Sequence, residues 1–289
     1  MTNMRKYLRL GAAALAGLSA LAVVSCNSWS PVQETDASKY ELRGNVLSLR
    51  TVSYKVDSTE DGYKAGDIDP MSNNIYVEFN GDGNATLLRR FNKDGNCVSE
   101  QTSVYNDKGQ LMETELVSSS KGLLEKTVYT YKGGRLYSMR VTDAEDSLKK
   151  YEVYRYFGDD SIKVDYSFKE DQPAGYRIMT YDERGYNTGN IMYSLKDKKL
   201  SEFRMSYDST GRRDSVYSDS MLFGKMESSM EYDDKGFCSD MVLSGEARTT
   251  VFRFERTLDS RGNWIERLTY QDGGTIPVKI EKREIKYAD

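Results

Sequence analysis

The stretch YDDKGFC, Tyr232–Cys238, reads as one tight turn closed by a glycine, and its recurrence decides the fold. Counted from the aromatic or leucine that ends the preceding strand, the same shape returns as FNGDG at Phe79, YNDKG at Tyr105, YKGG at Tyr131, YFGDD at Tyr156, YDERG at Tyr181, YDSTG at Tyr207 and LDSRG at Leu258. Successive anchors are 26, 26, 25, 25, 26, 25 and 26 residues apart. Weaker turns fall about half a period between them, among them FNKDG at Phe91, SSSKG at Ser118, SLKDKK at Ser194 and YQDGG at Tyr270. A period holding two strands and two turns is a repeated antiparallel hairpin.

The turn residues have physical reasons. In D-x-x-G the first Asp or Asn accepts backbone N–H groups, the next two positions suit a type I turn, and the glycine takes the left-handed conformation of a G1 bulge. The glycines so placed are Gly83, Gly95, Gly109, Gly134, Gly185, Gly211, Gly236 and Gly262. Segments between turns, such as KTVYTY, GYRIMTY and VFRFERTL, are rich in β-branched and aromatic residues and free of proline. The spacing therefore predicts an all-β chain, a long antiparallel meander of roughly sixteen or seventeen strands, with a further strand near Val46–Tyr54. Open sheets rarely exceed about 10 strands without curling, so a strongly twisted, curved sheet is expected, with a partly closed barrel or shell as the second choice. Strand alternation puts Thr127, Tyr129 and Tyr131 on one face, and likewise Phe203, Met205 and Tyr207, and Phe252, Phe254 and Leu258. That row is expected as an apolar stripe on the covered side, packing cross-strand rather than serving as a ligand platform.

Composition removes whole classes of function. The 289 residues contain no histidine, which excludes Ser/His/Asp and Cys/His nucleophilic sites, HExxH sites and a histidine pH switch. A mean hydropathy of −0.68 alongside 22 tyrosines suits thin, two-sided β structure, because tyrosine packs a flat ring while keeping a hydroxyl in water. Residues 1–25 form a targeting segment: Arg5, Lys6 and Arg9 precede an uncharged apolar run from Leu10 to Val24, too short to span a bilayer. Without them the chain holds 38 Lys and Arg against 45 Asp and Glu, a net charge of −7 that makes nucleic acid a poor partner.

The segment ends in VVSC. Val23, Val24 and Ser25 before Cys26 resemble the lipobox of bacterial lipoproteins, which implies cleavage after Ser25, lipidation of Cys26 and a membrane anchor that does not span. Residues 26–38, polar and with a proline, are expected as a tether to a body over 39–289. The copies of Y-D-x-x-G at Tyr181, Tyr207 and Tyr232, with YNDKGQL at Tyr105 and LDSRGNW at Leu258, resemble YD repeats of the Rhs type. The segment ELRGNVLSLRTVSY resembles the start of envelope lipoproteins carrying such repeats. The resemblance spans roughly residues 41–289 and implies a repetitive β-sheet, which in the large toxin-associated members coils into a shell.

Other candidate sites are weaker. Asn80, Asp82 and Asn84 in NGDGN imitate half a calcium loop, but position 12 is Phe91 rather than a bidentate Glu, so a turn is expected and no metal. Cys97 and Cys238 follow their turn glycines by two residues in different turn series. On an open sheet they sit about eleven strands apart, beyond disulfide reach, and are expected as free thiols. No catalytic residue, metal ligand or cofactor is predicted. The sequence points to a lipid-anchored, non-catalytic envelope protein on the outer membrane, facing the periplasm, whose sheet meets a protein or glycan. The alternative is a glycosidase-like hydrolase using two carboxylates.

Overall fold

The computed structural model describes residues 31–288 apart from 33, 73, 159, 171, 222 and 223. The targeting segment 1–25, with Ser25, and Cys26 lie outside the described residues. A one-turn helix α1 (Asp36–Lys39) precedes nineteen strands: β1 (Val46–Thr59), β2 (Gly62–Ile68), β3 (Asn74–Phe79), β4 (Ala85–Phe91), β5 (Cys97–Tyr105), β6 (Leu111–Ser118), β7 (Gly122–Lys132), β8 (Arg135–Thr142), β9 (Leu148–Phe157), β10 (Ser161–Lys169), β11 (Gln172–Tyr181), β12 (Asn187–Ser194), β13 (Lys199–Tyr207), β14 (Arg213–Ser220), β15 (Gly224–Tyr232), β16 (Cys238–Gly245), β17 (Thr249–Leu258), β18 (Trp264–Gln271) and β19 (Lys279–Tyr287).

From β3 to β19 every strand pairs antiparallel with its successor, as a meander requires. The open sheet expected from the sequence is corrected here: β19 pairs with β1 from Val46↔Tyr287 to Tyr54↔Ile280, while β1 pairs through its other edge with β3, Ser48↔Glu78 to Thr51↔Ile75. The ring closes through β1, leaving 18 strands in the wall and no free edge along it. The nineteenth, β2, pairs only with the outer half of β1, Tyr54↔Ile68 to Thr59↔Gly62, so the β1–β2 hairpin runs on past the barrel rim.

Closure has a local cause repeated with the sequence period. Register shifts occur between Glu78 and Phe79, Val104 and Tyr105, Thr130 and Tyr131, Thr180 and Tyr181, Ser206 and Tyr207, Glu231 and Tyr232, and Thr257 and Leu258. Each anchor but Tyr156 thus marks a bulge at the same end of the barrel. Further shifts fall at the opposite end, at Phe91, Val117, Thr142, Ser167 and Tyr193; a bulge bends its strand and raises local twist, so bulges at both ends add to the curl of the sheet.

The two faces of the wall differ in chemistry. One carries cross-strand ion pairs between neighbours, Arg89–Glu100 at 2.6 Å, Lys126–Glu113 at 2.8 Å and Lys282–Glu266 at 3.3 Å, with Arg155–Asp165 and Arg253–Glu255 beside them. The other carries the buried Leu49, Val77, Phe79, Leu136, Ile162, Val164, Met179, Met205 and Trp264. Two hydrogen bonds fix which face is inside. The Val32 amide donates to Gly185 O at 2.8 Å and the Ala37 amide to Gly83 O at 2.9 Å. Those turns are separated by eight strands, about 38 Å along the sheet, yet five residues of chain span at most about 18 Å. The segment therefore crosses the barrel mouth, and the face it packs on is the interior: Ala37 and Leu42 join Val46, Leu49, Val77 and Phe79 in one core cluster. The tether expected over residues 26–38 is corrected for its C-terminal part, because Ala37 is buried and Thr35 caps α1 by accepting the Ser38 amide at 3.1 Å.

Candidate functional site

All eight turn glycines singled out in the sequence have φ between 72° and 87°. In the turn that opened the reading, the Asp233 carboxylate accepts the Lys235 amide at 3.0 Å and the Phe237 amide at 2.8 Å, while the Gly236 amide donates to Asp233 O at 3.0 Å. Asn80 does the same with Asp82 and Asn84 at 3.1 and 2.9 Å, so its carboxamide oxygen is engaged by backbone rather than held open for a cation. Seven of these glycines ring the mouth crossed by residues 31–42; Gly95 lies at the opposite end, because meander turns alternate ends.

The anchors line the interior of that mouth. The hydroxyls of Tyr105, Tyr131, Tyr156, Tyr207 and Tyr232 donate to the carbonyls of Ala85, Leu111, Leu136, Asn187 and Arg213, at distances from 2.5 to 3.2 Å. Each bond reaches the first residue of the preceding strand, or the second in the case of Leu136 on β8, so the tyrosines form a ladder around the wall. Tyr181 packs in a second core cluster with Tyr154, Ile162, Val164 and Met179. Phe79 belongs to the first, and Leu258 lies opposite Trp264. These side chains are structural: the ladder engages the hydroxyls, and the rings are half-buried, or buried at Phe79 and Tyr181.

Cys97 and Cys238 are free thiols, each partly buried. The reason given by an open sheet is corrected: through the closure at β1 they are seven strands apart rather than eleven, and they sit at opposite ends of the barrel. Burial pushes the Cys238 thiol up to about 11.

Two groups of charges are buried inside the wall. On β9 and β11, Glu152 holds Arg177 Nη2 at 2.9 Å, Lys150 Nζ at 2.7 Å and the Tyr154 hydroxyl at 2.6 Å. Burial alone raises its pKa, but Arg177 and Lys150 outweigh burial and hold the carboxylate below its usual range. Arg177 thus has a carboxylate of its own, while Glu152 Oε1 and Arg177 Nε make no hydrogen bond among the described residues.

The second group lies on β17–β19 just inside the crossed mouth. Arg256 and Arg267 face each other across β17 and β18, Arg267 pairs with Glu281 on β19, and Arg283 lies two residues further along β19. The Arg267 guanidinium grips one Glu281 oxygen at 2.6 and 2.8 Å, and Lys279 takes the other at 2.9 Å. Burial raises the Glu281 pKa, but Arg267 and Lys279 overcome it and bring it down to about 2. Glu41, from the crossing segment, accepts the Trp264 indole N–H at 2.8 Å and stands 3.8 Å from Arg256. Arg283 lies 3.3 Å from the Trp264 ring centre and has no carboxylate within ion-pair distance among the described residues. Its Nε and Nη1 are buried and without hydrogen-bond partners there, as are Arg256 Nε and Thr51 Oγ1. Sequence reading missed this group. Its signal was an arginine on the apolar stripe of consecutive strands, Arg256 after Phe252 and Phe254, but the irregular pairing between Leu258 and Trp264 hid the phase of Arg267.

Among the described residues no group of three His, Cys, Asp or Glu side chains could hold a metal. The fold and its interior define a closed antiparallel β-barrel with a charged exterior. No family model matches the chain, and no curated protein matches it. Among solved structures it is similar to a porin-like protein from Bacteroides uniformis ATCC 8492, at 8% identity and a TM-score of 0.47, covering 83% of this chain and 96% of that one. A porin-like protein from Bacteroides vulgatus ATCC 8482 matches at 11% identity and a TM-score of 0.38, covering 85% and 99%. The resemblance to YD repeats of the Rhs type is corrected on these grounds: no family model supports it, and the repeats close into a single 18-strand ring rather than coiling as a shell.

Proposed function

We propose that the protein is a lipid-anchored, non-catalytic binding barrel of the bacterial envelope, standing in water on the membrane it is attached to, and offering its surface to an envelope protein or glycan. The observation that carries this reading is the order of the two faces. A barrel that spans a membrane turns an apolar band about 25 Å tall toward lipid and keeps its polar residues inside. Here the outer wall holds Arg89–Glu100, Lys126–Glu113, Arg155–Asp165, Arg253–Glu255 and Lys282–Glu266, while Leu49, Val77, Ile162, Val164, Met179 and Met205 face in; tyrosines stand on both faces, Tyr176, Tyr193, Tyr217 and Tyr270 on the outer one. Placing those outward ions in hydrocarbon costs several kcal/mol each, about 2–4 kcal/mol for Arg or Lys at the midplane.

The anchor is Cys26, and its position relative to the fold supports an orientation. Val32 is bound at the Gly185 turn, six residues after Cys26, which is at most about 20 Å of chain. The mouth crossed by residues 31–42 therefore faces the bilayer and the β1–β2 hairpin points away from it. The outer membrane, periplasmic side, is the location this reading favours.

Membrane fractionation of cells making the full chain and its Cys26→Ser variant tests the anchor and the faces together. The wild-type chain is expected in the membrane fraction and the variant in the soluble envelope fraction. A variant that stays in the membrane through alkaline carbonate washing means the wall itself is inserted, and the reading fails.

A further inference from the structure

The buried arginines of β17–β19 have fewer acids than they need. Arg256, Arg267 and Arg283 face Glu41 and Glu281, three arginines to two carboxylates within this group, with Lys279 as a further cation on Glu281. Arg267 and Arg283 both stack on Trp264, at 4.8 and 3.3 Å from the ring centre, so their guanidinium carbons are no further apart than the sum, 8.1 Å. Like charges set opposite one another on adjacent strands, as Arg256 and Arg267 are, repel. A buried cation without a counter-ion is among the costliest features a fold can carry. In the Glu152 group the one arginine, Arg177, has a carboxylate at 2.9 Å, so it is an arginine without one, Arg283, that sets β17–β19 apart from it.

Polar atoms are left over on these strands. Arg283 Nε and Nη1, Arg256 Nε and Thr51 Oγ1 are all buried without partners among the described residues, and Thr51 lies directly across from Arg283 in the β1–β19 register. Native interiors pair nearly all such atoms, and two unpaired donors of Arg283 set against an unpaired hydroxyl mark a place where another group belongs. Three guanidinium donors and a hydroxyl are satisfied by an anion. Burial, and repulsion from Arg267, bring the Arg283 pKa down to about 9, as expected for a cation short of a counter-charge.

The wall next to these donors is apolar. Phe252 and Phe254 share the inner face with Arg256, and across from Phe252 lies Met241 with Leu243 one step on. All four are half-buried. They run from the arginines away from the crossed mouth, toward the opposite one, because Gly236 and Gly262 turn at the crossed end and the Gly245–Arg248 turn at the other. A ligand entering from the far mouth meets an apolar strip first and cations at its end.

We propose that the interior face of β16–β19 binds an amphiphilic organic anion, an aliphatic carboxylate whose head group sits among Arg256, Arg267 and Arg283 and whose chain lies along Phe252, Met241 and Leu243. The inference rests on the reading of the chain as a binding protein and is independent of the anchor at Cys26.

The test uses the soluble chain from Asn27 with Trp29→Phe, which leaves Trp264 as its one tryptophan. Decanoate, below its micelle concentration, is titrated against Trp264 fluorescence, beside decanol, acetate and inorganic phosphate. A saturable response to decanoate alone is expected, weakened at least tenfold by Arg283→Met, with a rise in thermal midpoint on adding decanoate that the variant lacks. Leu243→Glu, placed on the strip, is expected to abolish the response while leaving the far-ultraviolet spectrum unchanged. Arg283→Gln serves if the methionine variant does not fold. An equal response to decanol removes the anion site, an equal response to phosphate or acetate removes the apolar strip, and no saturable response, or an unaffected Arg283 variant, overturns the proposal. The fractionation result for Cys26 stands or falls separately from each of these.

Discussion

The wall of the barrel contains two buried charge groups that the same architecture treats in opposite ways. On β9–β11 the single carboxylate of Glu152 is enclosed by Arg177, Lys150 and the Tyr154 hydroxyl, beside Ile162 and Val164, which have no exposed surface. On β17–β19 three arginines share Glu41 and Glu281, and donor atoms are left over. The first arrangement gives its one buried arginine what a structural ion pair requires, a carboxylate of its own, with the partly exposed Lys150 beside it, although Glu152 Oε1 and Arg177 Nε make no hydrogen bond among the described residues. The second meets that requirement for Arg267 and not for Arg283. One region is finished by folding, the other needs something folding does not supply.

Removing Glu152 breaks the comparison on its balanced side and carries the largest expected effect. Glu152→Ala leaves Arg177 and Lys150 facing each other with no carboxylate, and loss of one partner of a buried pair costs about 3–5 kcal/mol. Urea unfolding followed by tyrosine fluorescence is expected to show a much lower midpoint with an unchanged slope. A loss under about 1 kcal/mol, the range of an exposed pair, means the group is hydrated and the two regions are alike.

Acid probes both groups at once. Glu152 and Glu281 have folded-state pKa values below the ordinary carboxylate value of 4.5, Glu281 at about 2. The sign follows: a depressed carboxylate stabilises the fold fully above the unfolded pKa, and that contribution is lost as pH falls from about 4.5 toward about 2. Each unit of depression is worth about 1.4 kcal/mol, so the urea midpoint is expected to drop steeply between pH 5 and pH 3 and to stay flat from pH 6 to pH 8. The difference between wild type and Glu152→Ala reports Glu152, and the sensitivity left in the variant is shared by Glu281 with the other depressed carboxylates, Glu202, Asp208, Asp259 and Asp272.

How much of this was legible in the sequence depends on distance along the chain. The D-x-x-G turns, the strand alternation that puts Tyr129, Tyr131 and Phe254 on one face, and the meander itself are set by contacts between residues fewer than about twenty apart, and the 25–26 residue period displays them. Closure is not of that kind. Val46 and Tyr287 meet across the whole length of the domain, and Ala37 reaches Gly83 only because residues 31–42 cross the mouth. Nothing in VLSLRTVSY distinguishes a strand that ends a sheet from one that joins its two ends. The bulges at the anchors are visible as glycines and turn residues, but their accumulation over a ring gives an open, curved sheet as the first expectation and a partly closed barrel as the second, and it is the second that the ring matches. The arginine group stayed hidden for a related reason: three arginines on three strands carry no sequence signature until the register brings Arg256 against Arg267.

The turn that opened the reading gives a smaller effect, and one shared by both regions. Gly236 sits at φ 85° with the nearest side-chain atom, Arg212 Nη1, 3.6 Å from where a Cβ would stand. Space is therefore adequate, and the cost of Gly236→Ala is conformational, about 1–2 kcal/mol for an L residue held left-handed. A loss well above that in thermal or urea unfolding means that the turn at one repeat supports closure of the ring, since bulge, turn and wall curvature share those residues.

The smallest expected effect is the most informative for the comparison. Arg283→Met removes a guanidinium that has no carboxylate within ion-pair distance and two donors without partners, among the described residues, and replaces it with an unbranched side chain of similar reach that fills irregular gaps. Against the loss of its contact with Trp264, about 0.5–2 kcal/mol for a cation over an aromatic face, stands relief from burying an uncompensated charge, and replacing buried charges with packed apolar groups is often neutral or stabilising. The two changes oppose, so the urea midpoint is expected within about 0.5 kcal/mol of wild type or above it. The identical substitution at Arg177 leaves Glu152 with Lys150 alone and is expected to destabilise. If Arg283→Met instead costs as much as Arg177→Met, Arg283 is already balanced inside the folded chain, the two charge groups are equivalent, and no room is left for an anion between them.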